Sequence, residues 1–89
     1  MDQRDVRVMW IADGPDRVEL VIGANAVGDV EHNAARGEWG AFTYSKFGGE
    51  RVQAWFSSES HARCALLATL ADRYRAIADA LMTERDTNG

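Results

Sequence analysis

The sequence of 89 residues predicts an α+β domain in which an antiparallel sheet of four to five strands, arranged as a meander, packs one face against a long C-terminal helix. The sheet is predicted by short segments in which apolar and polar residues alternate, separated by glycine-containing turns. The helix is predicted by an alanine-rich stretch with leucines at helical spacing. We expect residues 1–89 to form a single domain, with polar, loosely held termini at 1–4 and 84–89.

The first two predicted strands, residues 5–12 and 17–23, form a hairpin. Each alternates between two sets of side chains, as a strand with a buried face does. The turn between them, Asp13-Gly14-Pro15-Asp16, is rich in turn-forming residues. In the first strand one set is Val6, Val8, Trp10 and Ala12, and the other set is Arg7, Met9 and Ile11.

Residues 26–36 are compatible with two structures. Val27 and Val30 favour a strand over 26–31, whereas residues 29–36 could form a short helix. Because Gly28 weakens any helix that begins earlier, we predict a third strand over 26–31 and a loop over 32–37.

The segments 38–45 and 51–56 alternate regularly and carry aromatic rings on both faces, so we predict a second hairpin. The connection, residues 46–50, supplies two glycines for the positive φ angles of a tight turn. Phe47 stands at the predicted tip, where a core position is hard to arrange. Lys46 and Phe47 are therefore candidate partner contacts, and the alternative is that Phe47 folds back onto Tyr44 or Trp55.

A long helix follows, and Ser57 or Ser58 can begin it by accepting a hydrogen bond from an early backbone N–H. We predict that an apolar stripe along it faces the core; the stripe consists of Leu66, Leu70, Tyr74, Ile77 and Leu81. One helix covers one face of such a sheet, yet apolar residues occur on both faces of three predicted strands. The second face can be covered by sheet curvature, a second copy of the chain or a functional partner.

The formal net charge of −4 lies in the N-terminal part of the chain. Residues 1–38 carry eight acids and four arginines, whereas residues 39–89 carry six of each sign. A local negative field of this kind steers a basic partner and repels nucleic acid. We therefore predict an acidic partner-binding surface formed by Asp13, Asp16, Glu19, Asp29, Glu31 and Glu38.

No residue set matches a catalytic or metal-binding arrangement, so we predict a protein without enzyme activity, catalytic residues, metal or cofactor. His61 and Cys64, one helical turn apart, could bind a metal with His32 or act as base and nucleophile. A further ligand and an oxyanion-forming loop are missing from the pattern, so a helix-start histidine and a small buried cysteine are the simpler interpretation. The carboxylate pairs at 13 and 16 and at 29 and 31 are explained as turn formers and solvated strand positions.

The aromatic residues of the predicted sheet are compatible with a platform on which nucleic acid bases stack. They are Trp10, Trp39, Phe42, Tyr44 and Trp55. The basic surroundings that phosphates require are missing, and the net charge of −4 opposes binding. Core packing is the preferred explanation for most of these rings, and direct nucleic acid binding is disfavoured.

No stretch approaches the roughly 18 apolar residues of a membrane span, and the first residues lack the basic-then-apolar order of a signal peptide. The single cysteine, Cys64, fits a reducing compartment. Arginine-rich and alanine-rich usage suggests a GC-rich bacterial or phage genome. We therefore expect a cytoplasmic protein of a bacterial host cell, with no membrane partner.

Four segments together resemble small accessory proteins of phages and mobile elements, some of which are anti-CRISPR proteins. They are AVGDVE (26–31), GEWGAFTY (37–44), ERV (50–52) and WFSSE (55–59), which leads into the alanine-rich helix. The resemblance covers about half of the chain and transfers no functional residue. It implies a non-enzymatic inhibitor that binds a host defence complex, and some such inhibitors place an acidic surface in a basic DNA channel.

Two functions follow as hypotheses. In the first, the chain inhibits or modulates a larger protein or protein–nucleic acid complex by binding its basic surface. In the second, it is an assembly module that forms a homo-oligomer through the open sheet face or the alanine-rich side of the helix.

Overall fold

The computed structural model describes residues 6–44, 52 and 55–88, which form a four-stranded sheet and one helix. The strands are β1 (Val8–Ala12), β2 (Arg17–Ile22), β3 (Asn25–Asn33) and β4 (Glu38–Thr43), and the helix is α1 (Glu59–Asn88). Neighbouring strands are antiparallel and follow the order β1-β2-β3-β4. The predicted α+β class, with a meander sheet and a long C-terminal helix, is confirmed.

Some bounds differ from the predicted ones. β1 begins at Val8 rather than at residue 5. The segment 26–31 is a strand, as predicted, and β3 continues through His32 and Asn33 into the predicted loop. α1 runs to Asn88, so most of the C-terminal segment that was expected to be loose is helical.

Three of the six residues of the predicted fifth strand lie outside the described residues, as do Lys46 and Phe47 at the predicted hairpin tip. What the structure does describe is a covered outer edge of β4. Trp39 and Phe56 exchange two backbone hydrogen bonds of 2.8 Å, and Val52 N donates to the Ala41 carbonyl at 2.8 Å.

A bulge in β3 breaks the regular alternation of the sheet. Leu20 of β2 lies opposite Gly28, but the next residue, Val21, lies opposite Ala26. Val27 is therefore one extra residue on β3, as in a β-bulge. Val27 and Val30, which favoured a strand in the sequence, are three residues apart and yet face the same side because of this bulge.

The bulge places both Val27 and Gly28 on the face that α1 covers. Val27 is completely buried. A Cβ atom on Gly28 would lie 2.5 Å from the Phe42 carbonyl oxygen and 3.2 Å from Leu66 Cδ1. Glycine is therefore required at position 28, where β3, β4 and α1 approach one another. Beyond the bulge, Val30 faces the helix and Asp29 faces away from it.

The core lies between α1 and the covered face of the sheet. Ser58 caps the helix, because its Oγ accepts a hydrogen bond from His61 N at 3.2 Å. The helix then packs on β3 and β4. The fully or almost fully buried apolar residues are Leu20, Val27, Val30, Ala41, Ala62, Leu66 and Leu70.

Only the first half of the helical stripe faces the core. Leu66 and Leu70 are buried, whereas Tyr74, Ile77 and Leu81 are 36%, 46% and 64% exposed, so the predicted core position of these three is wrong. A helix of 30 residues is about 45 Å long, whereas a six-residue strand spans about 20 Å. The helix therefore extends past the sheet. In the described part of the chain, no helix is long and apolar enough to cross a membrane.

The close approach at Gly28 gives a prediction about stability. Gly28→Ala places a methyl group against the backbone of β4, and we expect it to lower the free energy of unfolding by about 1 to 3 kcal/mol. Urea denaturation of purified protein measures this change. Ala26→Ser, at an exposed position of the same strand, is the matched control and should change stability by less than about 0.5 kcal/mol.

Candidate functional site

The sheet face opposite α1 carries a connected set of charged and polar side chains, which we name the Arg17 cluster. Its members are Arg17, Asp13, Glu19, Asp29, Glu31 and Tyr44. The cross-strand register explains why they meet: Arg17 lies opposite Glu31, and Glu19 lies opposite Asp29. Because strand side chains alternate between faces, all four point away from the helix.

The Arg17–Asp29 pair is the centre of the cluster. Arg17 Nε and Nη2 donate to Asp29 Oδ2 at 3.1 and 2.8 Å. The Asp29 side chain is only 5% exposed, whereas the Arg17 side chain is 30% exposed. A carboxylate so deeply buried depends on a paired charge, because an unpaired ion in this environment is strongly unfavourable.

Tyr44 closes the cluster from the end of β4. Its hydroxyl oxygen accepts a hydrogen bond from Arg17 Nη2 at 2.5 Å and lies 2.7 Å from Glu19 Oε2 and 3.0 Å from Asp29 Oδ2. A phenol has one proton to donate. It therefore serves one carboxylate at a time, and Glu19 is the nearer one.

The remaining carboxylates approach Arg17 from the exposed side. Arg17 Nη1 donates to Asp13 Oδ2 at 2.5 Å, and Glu31 Oε2 lies 3.5 Å from Arg17 Nε. The Asp13 and Glu31 side chains are 67% and 46% exposed. One cation thus faces four carboxylates, and the cluster carries a formal excess of three negative charges.

The electrostatic environment changes the pKa of three members of the cluster. Burial opposes the charged form of Arg17, but hydrogen bonding and attraction to Asp29 outweigh it and raise its pKa. Burial, followed by the charge of Asp29, raises the pKa of Glu31. Burial, hydrogen bonding to Glu19 and the charge of Asp29 raise the pKa of Tyr44 above its ordinary value of 10. Tyr44 therefore remains a neutral hydrogen-bond donor near neutral pH.

Asp29 Oδ1 is buried without a hydrogen-bond partner among the described residues. All three donors of the cluster that reach Asp29 approach its other oxygen, Oδ2. The described residues contain no group of three or more His, Cys, Asp or Glu side chains that could hold a metal ion. The arrangement is thus able to hold its carboxylates in fixed positions and to present their charge.

The structure brings four of the six predicted acidic residues together around Arg17. Of these, Asp29 is a buried structural anchor rather than a surface contact, which differs from the prediction. Asp16 lies in the β1–β2 turn, with Oδ1 3.5 Å from His32 Nδ1 and its side chain 64% exposed. Glu38 lies on the same sheet face and accepts a hydrogen bond from Arg36 Nε at 3.1 Å.

The aromatic residues are divided between the two sheet faces and do not form one platform. Trp10 lies on the helix side, where the Arg63 guanidinium stacks 4.7 Å from its ring centre. Trp39 is also on that side, with its ring centre 4.9 Å from that of His32. On the opposite face, Trp55 covers Gly40, and a Cβ atom on Gly40 would lie 2.8 Å from the Trp55 ring.

The candidate metal and nucleophile residues are placed on separate elements. His32 lies on β3, whereas His61 lies at the start of α1, with Nδ1 3.5 Å from Ser57 Oγ. Cys64 is exposed, although the sequence suggested a small buried cysteine.

Sequence reasoning missed Arg17 and Tyr44 as members of the site. The polar side of β2, Arg17 followed by Glu19, indicates a pair on the solvent face, and this signal could have identified Arg17. Tyr44 carried no comparable signal, because its contacts join residues 15 to 27 positions apart in the chain.

Removal of the Arg17 charge should destabilise the domain. Arg17→Met keeps the aliphatic stem but leaves Asp29 buried without its cation, and we expect a loss of about 2 to 4 kcal/mol in the free energy of unfolding. Arg75→Met removes a solvent-exposed ion pair with Asp72 and should cost less than about 0.5 kcal/mol. Denaturant unfolding of both variants tests this difference, and equal losses would contradict a special role for Arg17.

The Tyr44 hydroxyl should ionise at higher pH than free tyrosine. The folded protein holds this proton above pH 10, whereas the unfolded chain releases it there, so the free energy of unfolding falls as pH rises through 10 and beyond. In a Tyr74→Phe background, ultraviolet absorbance titration reports Tyr44 alone. We expect phenolate formation only well above pH 10, and a midpoint at or below 10 would refute the buried hydrogen-bonded geometry.

Comparison of the chain with protein-family models, with curated proteins and with solved structures found no match in any of the three. Function must therefore be inferred from the arrangement of the chain's own residues.

Proposed function

We propose that the chain is a non-enzymatic binding protein that docks through its acidic sheet face against a basic surface of a larger protein or protein–nucleic acid complex, and inhibits or modulates that complex. The supporting observation is the Arg17 cluster, in which four carboxylates meet one arginine on a single face. A cluster in excess of its own cation presents negative charge to an incoming partner.

The charge is held in place before binding. Arg17 and Tyr44 hold Asp29 and Glu19 in place by hydrogen bonds, and these two carboxylates hold the Arg17 side chain in return. The ordered Arg17 side chain then orients Asp13 and Glu31. Groups that are already ordered lose little side-chain freedom on association, which favours affinity.

One further carboxylate extends the acidic surface beyond the cluster. Glu38 lies on the same face across β3 from the Arg17 row, whereas Asp16 turns towards His32 on the helix side. The negative field therefore covers an area rather than a point. An extended field of this kind matches a channel or groove lined with basic residues more closely than it matches a single cation.

The class of partner that we propose is a nucleic-acid-handling defence complex of the bacterial host. The resemblance to phage accessory proteins of the anti-CRISPR type supports this choice, and the physical reason is charge complementarity. A site that binds DNA is basic because it neutralises phosphates, and an acidic protein face can compete for the same residues.

A second candidate function is homo-oligomeric assembly, and the exposed part of α1 favours it. Tyr74, Ile77 and Leu81 recur at three- and four-residue spacing along a helix that has passed the edge of the sheet. Spacing of this kind is typical of helices that pack against another helix.

Charge reversal tests the acidic-face proposal. The double variant Glu31→Lys and Glu38→Lys reverses two accessible charges of the acidic face without altering Asp29 or Arg17. The control is Asp72→Lys and Asp79→Lys, which makes the same change in net charge on the exposed part of α1. The measurement is displacement of labelled target DNA from a panel of purified CRISPR effector complexes.

We expect the unmodified protein to displace DNA from at least one complex, and displacement to weaken as salt rises. The sheet-face variant should need at least about tenfold more protein for the same effect, while the helix variant stays within about threefold. Equal losses in the two variants would attribute binding to net charge alone. Unchanged DNA binding by every complex would contradict the proposed class of partner.

A further inference from the structure

The outer edge of β1 has backbone groups that find no partner among the described residues. The Arg7 carbonyl accepts a hydrogen bond from Gly23 N, just after β2, and Asp13 N donates one to the Arg17 carbonyl, each at 2.8 Å; the strand pairing between them is regular. In an antiparallel pair such bonds belong to alternate residues. The backbone N–H and C=O groups of Val8, Trp10 and Ala12 therefore point away from β2, and within the described residues no backbone hydrogen bond reaches them from outside.

This edge also exposes apolar side chains on both of its faces. Val8 is 55% exposed on the helix side, and Met9 and Ile11 are 40% and 45% exposed on the opposite side. The strand contains no charged residue, proline or bulge, which are the features that prevent edge strands from pairing with other chains. The opposite edge of the sheet is covered, because Trp39 of β4 is hydrogen-bonded to Phe56.

We propose that β1 pairs in antiparallel orientation with β1 of a second copy of this chain, so that two four-stranded sheets become one sheet of eight strands. The outward backbone groups belong to Val8, Trp10 and Ala12, so a two-fold register must place these residues opposite one another. Centred on Trp10, it places Val8 opposite Ala12 of the second copy and Met9 opposite Ile11. Every pair within the two strands is then apolar.

Charge complementarity selects this register over its neighbours. When the pairing continues by one residue at each end, Arg7 lies opposite Asp13 of the second copy. The two-fold axis repeats this ion pair, so the dimer contains it twice. A shift by two residues in either direction, which preserves the hydrogen-bonding alternation, places Arg7 opposite Ile11 or Pro15 instead. Arg17 contacts Asp13 through Oδ2, which leaves Oδ1 for a second donor.

The pairing would place both acidic faces on the same side of the extended sheet. In an antiparallel pair of identical strands the two-fold axis is perpendicular to the sheet, so equivalent faces remain together. The dimer interface shares Asp13 with the Arg17 cluster, but the carboxylates at 31 and 38 that are reversed in the DNA-displacement test lie outside β1 and its flanking residues, so the two proposals can be tested separately.

A charge-swap series tests both the interface and its register. Sedimentation equilibrium of the full chain at low ionic strength should show a monomer–dimer equilibrium. Arg7→Asp and Asp13→Arg each place like charges opposite one another, and each should raise the dimer dissociation constant about tenfold. The double variant restores opposite charges and should return the constant to within about threefold of the unmodified protein.

Two further variants serve as controls. Val8→Pro removes an outward N–H that makes no bond to β2, so it should weaken the dimer and leave the circular dichroism spectrum and thermal unfolding of the monomer nearly unchanged. Arg75→Asp makes the same charge change as Arg7→Asp on the exposed helix and should leave dimerisation unaffected.

A protein that remains monomeric at every concentration would overturn the proposal. So would a dimer that forms equally well with Arg7→Asp or Val8→Pro, since its interface would then lie on another surface, such as the exposed stripe of α1. The DNA-displacement experiment is scored separately with variants that leave β1 unchanged, so failure of one proposal is distinguishable from failure of the other.

Discussion

The bulge at Val27 determines which side chains each face of the sheet receives. Without the bulge, regular pairing of β3 with β2 would place Asp29 under the helix and Val30 in solvent. With it, Val30 joins the core and Asp29 lies beside Arg17. This one break in the alternation of side chains along β3 therefore accounts for both the apolar face under the helix and the charged face opposite it.

The charged face has an internal order that resembles a core more than an ordinary surface. Its central carboxylate is buried, its arginine is held by several acceptors, and a tyrosine from the neighbouring strand contacts both. Such a network is sensitive to the loss of any member, since each group left behind is charged and partly removed from water. The Arg17 cluster thus accounts both for the rigidity of this face and for its excess negative charge.

The fold class was predictable because alternation, turn residues and helix capping agreed with one another along the chain. The sequence did not indicate which side chains of β3 face the helix, since a bulge leaves only a three-residue spacing of valines, which a helix also shows. The acidic residues were identifiable from their uneven distribution. Their arrangement was not, because Arg17, Asp29 and Tyr44 are brought together by cross-strand register. The burial of Tyr74 and Ile77 was predicted wrongly, since helical periodicity contains no information about how far a sheet extends beneath a helix.

The overhanging helix has a consequence for how the domain opens. Around Ala62, Leu66 and Leu70, α1 packs on the sheet, and we expect its hydrogen-bonded amides there to exchange with solvent mainly when the whole domain unfolds. Beyond that point the side chains are mostly exposed, and the amides are protected mainly by the helix's own hydrogen bonds. Those turns can fray one after another from the C-terminal end while the sheet remains intact. Hydrogen exchange in the first part of this continuous helix should thus report the global stability of the domain, whereas exchange in its last part should report only local order.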